Sequence, residues 1–213
     1  MNHEKKLTVL VISAHTDDGE FGCGGTISKY IRLGHRVINV AFSACERSLP
    51  AGLAPDTLVK ECEAAAKSLQ LAEVRVLDFD VRTFPEHRQK ILDQMLQLNK
   101  DIKPNLVLVP SSTDLHQDHQ TIHNEAKRAF KYVNMLGYEL PWNNIVMTTT
   151  FFSGLSEEDV KQKVAAIACY KSQSHRNYYN ELFLRSLAIT RGTQIGQTYA
   201  EAFELIKWID QVT

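Results

Sequence analysis

Short, almost uninterrupted apolar runs recur along this chain, separated by segments of helical pattern. Leu7-Thr8-Val9-Leu10-Val11-Ile12 opens the series, and Arg36 to Phe42, Val74 to Phe79 and Asn105 to Val109 continue it. A strand with no polar face has to be buried on both sides, which is the condition of a parallel sheet covered by helices. Helices are expected at about Gly25 to Leu33, with Gly34 as the terminating glycine, at Thr57 to Leu69 and at Glu86 to Lys100. Another is expected to run from the polar loop after Pro110 to about Val133. Beyond it, a fifth strand is expected over Ile145 to Phe152, then a helix over Ser156 to Tyr170 with Ser156 and Asp159 at capping-box spacing. A less regular stretch, Lys171 to Gln197, leads to a final expected helix, Tyr199 to Ile209. This alternation predicts an α/β fold: a single-domain, Rossmann-like, doubly wound sheet, mostly parallel, with helices on both faces. No repeat or linker divides the 213 residues, so one domain over 1–213 is expected.

The usual strand order of such a sheet places the first and fourth strands side by side, and ligands bind beyond their carboxyl ends. His15, Asp17 and Asp18 follow the first strand; Asp114, His116, Asp118 and His119 follow the fourth. The two clusters lie about 100 residues apart in sequence, yet this topology brings them together. Alone, Asp-Asp reads as a solvated turn and His-x-x-His as a cap or surface feature. At two adjacent strand ends they read as a metal site, since two imidazoles and one carboxylate hold a divalent ion with a position open for water. A second carboxylate beside the ion can take a proton from that water. Of the adjacent Asp17 and Asp18, only one is expected to face the ion. A metal-dependent phosphoesterase and a non-catalytic Rossmann-type binding module fit the same clusters. The glycines Gly22, Gly24 and Gly25 read as a turn into a helix; they do not have dinucleotide-loop spacing, and carboxylates precede them where a pyrophosphate would lie. His123 is expected to pack or face solvent. His3, His35 and His87 have no comparable neighbours, and His175 sits where it could overhang the site.

A net charge of −1 provides no basic field for nucleic acid or an anionic membrane. The first apolar run, Leu7 to Ser13, is too short for a membrane span or a signal peptide. The four cysteines, Cys23, Cys45, Cys62 and Cys169, lack zinc-type or redox-pair spacing and read as reduced thiols of a cytoplasmic protein.

The stretch Ala14-His15-Thr16-Asp17-Asp18-Gly19-Glu20 resembles the Ala-His-Pro-Asp-Asp-x-Glu signature of the LmbE-like, or PIG-L, family of metal-dependent N-deacetylases. Pro110-Ser111-Ser112-Thr113-Asp114-Leu115-His116-Gln117-Asp118-His119 is similar to its second motif. The likeness continues in Glu46-Arg47, in the helix Glu61 to Leu69, in Tyr170-Lys171-Ser172-Gln173, and in Arg191-Gly192 with Tyr199-Ala200-Glu201-Ala202-Phe203. Thr16 stands where the family has proline, which leaves the turn a backbone N–H and a free φ.

This resemblance implies zinc, or another divalent ion such as Fe2+, held by His15, Asp18 and His119. Asp17 would be the general base, and His116, if protonated, would stabilise the oxyanion of the tetrahedral intermediate. Asp118 would orient an imidazole, and Arg47 would grip polar groups of the substrate. The implied substrate is a small N-acetylated molecule of the N-acetylglucosamine kind, and the implied assembly is a homo-oligomer, a trimer or hexamer. The loop after Arg47 and the stretch 171–197 are expected to shape the pocket.

Overall fold

The computed structural model describes residues 6–210; His3 and the rest of the charged N-terminal segment lie outside them. One seven-stranded sheet has the order β3-β2-β1-β4-β5-β7-β6. Its parallel part contains β1 (Thr8–Ser13), β2 (Arg36–Ala41), β3 (Glu73–Val76), β4 (Leu106–Pro110) and β5 (Asn134–Tyr138). β6 (Phe151–Leu155) and β7 (Tyr199–Lys207) close the far side, with β7 antiparallel to both β5 and β6.

The apolar strands behave as their composition requires. On β1, Val9 and Val11 enter one core cluster while Leu10 and Ile12 enter the other, and all four are fully buried. This is the alternation of side chains across a strand, with both faces covered. The first face carries α1 (Asp18–Arg32), α2 (Thr57–Leu69) and α5 (Glu157–Ile167), and the second carries α3 (Arg88–Ile102) and α4 (Gln117–Ala129). α6 (Glu181–Thr193) packs beside β7. β1 pairs with both β2 and β4, so the chain leaves the β1 and β4 carboxyl ends toward opposite faces. The expected switch point is present, and among the described residues no helix is long and apolar enough to cross a membrane.

Five expectations need correction. The first helix begins at Asp18, not near Gly25, and bends at Cys23, where φ is −147° and ψ 24°. Its glycines are a packing seam rather than a turn: a Cβ on Gly22 would lie 2.2 Å from Tyr138 Cδ2, and one on Gly25 would lie 2.5 Å from Leu155 Cδ1. The fifth strand is Asn134–Tyr138, directly after the end expected for the helix and in a stretch with no strand expected, while only the end of the Ile145 to Phe152 run is a strand. Ile145 and Val146 are β-branched but exposed and have no strand partner. The stretch 171–197 contains α6.

Finally, Tyr199–Lys207 is a strand and not a helix. Ala, Glu and Leu favour helix only weakly, and tertiary pairing overrides such preferences. Phe203 pairs with Tyr138 and Phe151, and the buried Glu201 carboxylate accepts from Gly25 N–H (3.0 Å) and Thr26 N–H (2.7 Å) just past the Cys23 bend. Lys163 Nζ, 2.7 Å from the same carboxylate, neutralises it. The expected capping box of Ser156 and Asp159 is formed, and the four cysteines are free thiols.

Candidate metal centre

Both sequence clusters run from beyond the carboxyl end of a central strand into the first turn of the next helix. Asp17 is the N-cap of α1, and His116 is the N-cap of α4, its Nδ1 accepting from Asp118 N–H at 3.1 Å. Helix N-termini present unpaired N–H groups and favour negative charge, which suits Asp18 and Asp118 in these first turns. The turn between β1 and α1 is held without a proline: Tyr170 donates its hydroxyl to Thr16 O at 2.6 Å, and the Thr16 side chain is buried.

Three donor atoms form a close triangle. His15 Nδ1 and His119 Nε2 are 3.0 Å apart, His119 Nε2 is 3.2 Å from Asp18 Oδ2, and His15 Nδ1 is 3.3 Å from the same oxygen. Ligands about 2.0–2.1 Å from a tetrahedral zinc ion stand about 3.3 Å from one another, so the triangle has the size of one face of such a site. Asp18 Oδ2 also accepts His15 N–H at 2.8 Å, which fixes its place. A second grouping of His15, His116 and His119 has its ligand atoms within 4.8 Å of one another. That set is looser and brings no negative charge to the ion, and His116 Nδ1 is already engaged.

Each imidazole of the triangle is backed by a carboxylate. Asp118 Oδ2 lies 3.2 Å from His15 Nε2, and Asp114 Oδ2 lies 2.7 Å from His119 Nδ1. A carboxylate can only accept, so each keeps a ring proton on the outer nitrogen and turns the inner nitrogen toward the triangle. Asp118 is itself held by Arg82 N–H (2.6 Å) and Phe84 N–H (3.3 Å). The expectation that Asp118 orients an imidazole therefore has a definite partner, His15. Asp114 had no assigned role from sequence, although it stands in the quoted motif five residues before His119; only the folded chain shows which ring it reaches.

The electrostatics divide the paired aspartates. Burial raises the Asp18 carboxyl, but the His119 and His15 imidazoles outweigh it and hold it well below the usual range. Burial raises Asp17, and the neighbouring Asp18 charge raises it further. Tyr179 donates its hydroxyl to Asp17 Oδ2. His119 is pushed up to about 10, because Asp18 and Asp114 overcome the opposing effect of burial. His116 is pushed down to about 4 by burial and by the other two imidazoles. With Nδ1 accepting from Asp118 N–H, a neutral His116 carries its proton on Nε2.

A cavity of about 220 Å³ opens over the triangle, and His15, Asp17, Asp18, His116 and His119 all line it. Trp142, Asn143, Gln173, Arg176 and Tyr178 form another part of its wall, and Ser48 and Leu58 come from the region after Arg47. Both segments expected to shape the pocket do so. Arg47 itself does not: it pairs with Asp80 at 3.0 Å, two-thirds exposed, and lines a separate hollow. Arg82 and Arg176 are the arginines that face the cavity. No local pattern marks Arg82 or Tyr179, because their hydrogen-bonded site partners, Asp118 and Asp17, are 36 and 162 residues away in sequence. His123 is buried against Pro110 O at 2.9 Å, and His175 is exposed and outside the cavity wall.

Residues 10–130 match the family described as PIG-L, GlcNAc-PI de-N-acetylase. A protein of Escherichia coli (strain K12), described as the uncharacterized deacetylase YaiS, is 26% identical over 177 residues, covering 79% of this chain and 92% of the relative. Among solved structures, N,N'-diacetylchitobiose deacetylase from Pyrococcus horikoshii superposes with a TM-score of 0.77 at 23% identity, covering 92% of this chain and 82% of that one. GalB, the 4-carboxy-2-hydroxymuconate hydratase from Pseudomonas putida KT2440, superposes with a TM-score of 0.78 at 22% identity over 98% of both chains. At these identities the two structures establish a shared fold, and that fold carries more than one chemistry.

Proposed function

We infer the reaction from a fixed starting point: the chain belongs to the PIG-L family of de-N-acetylases, and it is an N-deacetylase. The substrate is an N-acetylated amino sugar or a conjugate of one, and the cofactor is zinc or a similar divalent ion. The observation that carries this reading is the donor triangle of His15 Nδ1, Asp18 Oδ2 and His119 Nε2, with edges of 3.0 to 3.3 Å beside a carboxylate outside it, Asp17. Two imidazoles and one carboxylate are the donor set of a hydrolytic zinc site with an open position. An ion held there acidifies a water to a pKa of about 7 and polarises the acetamide carbonyl.

The chain's own groups divide the remaining work. Asp17 takes a proton from the attacking water and returns it to the departing amine nitrogen, so that water and amide become acetate and free amine. Its raised pKa suits both directions of transfer. Tyr179 engages one Asp17 oxygen and leaves the other for the water. His116 donates from neutral Nε2–H to the carbonyl oxygen as negative charge gathers there, while its Nδ1 is held by Asp118 N–H. Asp118 and Asp114 keep the His15 and His119 lone pairs aimed at the ion.

The test is acetate release by the zinc-loaded protein from a panel of N-acetyl amino sugars and their conjugates, with and without chelator. Release matched by free amine and abolished by chelator is expected. Release that survives complete removal of the metal would refute the reading, and two tightly bound ions per chain would favour a phosphoesterase.

A further inference from the structure

We propose that Asn143 is a specificity-determining residue: its side-chain oxygen accepts a hydrogen bond from a donor beside the scissile carbonyl, either the acetamide N–H or the hydroxyl on the neighbouring sugar carbon. The identity of the ligand rests on the deacetylase reading, and the geometry rests on the turn that carries Asn143.

Residues 140–144 follow β5 and lie against the loop between β4 and α4 that carries the second cluster. The turn closes on itself, with Asn143 N–H and Asn144 N–H donating to Leu140 O at 2.8 and 3.0 Å. Asn143 O accepts Leu115 N–H at 3.2 Å, which joins the turn to the residue between Asp114 and His116. Two adjacent asparagine side chains complete the join, and they do so differently. Asn144 is buried and commits both ends of its amide. Its Oδ1 accepts Leu140 N–H at 2.8 Å, and its Nδ2 donates to Ser111 Oγ at 2.9 Å and Thr113 Oγ1 at 3.1 Å. It fastens the two loops together.

Asn143 commits one end only. Its Nδ2 lies 3.4 Å from Asp114 Oδ2 and 3.5 Å from His119 Nδ1. A carboxylate only accepts, and the proton on His119 Nδ1 already serves the same Oδ2. The end of the amide turned toward that pair is therefore the nitrogen, and the oxygen lies on the other side of the planar group. Among the described residues no group donates to Asn143 Oδ1. The buried side-chain atoms without a partner are Glu20 Oε2 and Thr26 Oγ1, so Asn143 Oδ1 is not walled in, and the residue lines the cavity beside His116 and His119.

An acceptor held in this way selects its ligand. A ligand that covers the oxygen without donating to it leaves a desolvated acceptor unpaired, whereas one that donates gains a hydrogen bond to a group already fixed in place. Asn143 touches the carboxylate and the imidazole at one corner of the donor triangle, so the ligand atoms it meets are those flanking the scissile bond. On an N-acetylated amino sugar these include two neutral donors, the acetamide N–H and the adjacent hydroxyl. Both offer the same chemistry to Oδ1.

The experiment measures binding. Zinc-loaded Asp17→Asn protein is titrated calorimetrically with N-acetylglucosamine, with its N-methylated amide, which lacks the N–H, and with its 3-deoxy analogue, which lacks the hydroxyl. One analogue is expected to bind about three- to tenfold more weakly than the parent, the worth of one neutral hydrogen bond, and which one it is identifies the donor. Adding Asn143→Leu, which is close to asparagine in volume, is expected to bring that analogue within about twofold of the parent. A penalty that survives the substitution, as a clash with the N-methyl group would, overturns the proposal. So does equal binding of all three ligands by the protein that keeps Asn143, or no binding of the parent. Asn143→Ala gives the same comparison where leucine disturbs the fold, and the contrast in the protein that keeps Asn143 can overturn the proposal without either variant. Zinc affinity of the Asn143 variants, measured by chelator competition, is expected to stay within about threefold of the protein that keeps Asn143, because the bond between Asp114 and His119 remains. A loss of about tenfold or more would make Asn143 a prop of the metal centre and overturn the specificity role. A preference that follows Asn143 as expected, with no acetate released from the parent sugar by the wild type, would leave the role of Asn143 standing and refute the deacetylase reading instead.

Discussion

Replacing Asp114 with asparagine probes the wiring of the candidate centre at the residue that local sequence marks least. The Asp114 carboxyl is buried, and its oxygens serve His119 Nδ1 at 2.7 Å and His116 N–H at 2.8 Å. Asparagine offers one acceptor and one donor in place of two acceptors. With its nitrogen toward His119, the imidazole proton shifts to Nε2, the atom that has to face the ion. With its nitrogen toward His116, two donors meet in a buried site, at a cost of about 1–3 kcal/mol. Either outcome, with a carboxylate lost beside the ion, is expected to weaken metal binding by about 10- to 100-fold, or about 1.4–2.7 kcal/mol. Proton competition makes the deficit depend on pH. In the metal-free protein, burial opposes the His119 proton but Asp18 and Asp114 retain it, up to a pKa of about 10. Without the Asp114 charge that proton leaves more readily, which partly compensates the variant at low pH. The deficit should therefore be small near about pH 6 and grow toward about pH 8. Competition against a chromogenic chelator measures the affinity, and thermal unfolding of the metal-free variant shows whether the fold persists. A folded Asp114→Asn protein that binds zinc within twofold of the wild type at the higher pH would falsify the role given to this carboxylate.

Three further outcomes are expected. Asp17→Asn should retain stoichiometric metal by elemental analysis and lose about 10²- to 10⁴-fold in acetate release; loss of the metal instead would mean that Asp17 and Asp18 have exchanged roles. Wild-type metal affinity should rise about tenfold per pH unit between about pH 6 and 8, because each ion displaces the proton that His119 holds below its pKa of about 10; a flat profile contradicts that coupling. Gly22→Ala should destabilise the metal-free protein by about 1–3 kcal/mol in urea unfolding and lower the melting temperature by about 2–4 °C per kcal/mol, because its methyl group meets the Tyr138 ring; unchanged stability would mean that α1 can lift off the sheet at no cost.

The legible parts of this chain are those whose physics is local. Val9 to Ile12 and Leu106 to Val109 are apolar on every residue, so burial on both faces follows without knowing the neighbours. Two polar clusters at the ends of such strands had to converge once the strands were adjacent. The helix preferences of Tyr199–Lys207 pointed the wrong way, because the deciding interactions lie with Tyr138, Phe151 and the backbone of Gly25 and Thr26. The glycines of α1 looked like a turn for the same reason: the ring that requires Gly22 belongs to a strand more than a hundred residues later.

Strand burial and helix starts are written in near neighbours, so the meeting of His15, Asp17, Asp18, His116, Asp118 and His119 at a strand switch point follows from the chain's local patterns. Their wiring depends on contacts made across the fold. The fold pairs Asp118 with His15 and Asp114 with His119, brings Tyr179 to Asp17, turns Arg47 away to Asp80, and presents Arg82 and Arg176 to the cavity. A hydrogen bond or a charge pair is settled within a few ångströms. Residues 5 to 162 positions apart reach that distance here only after the sheet has formed.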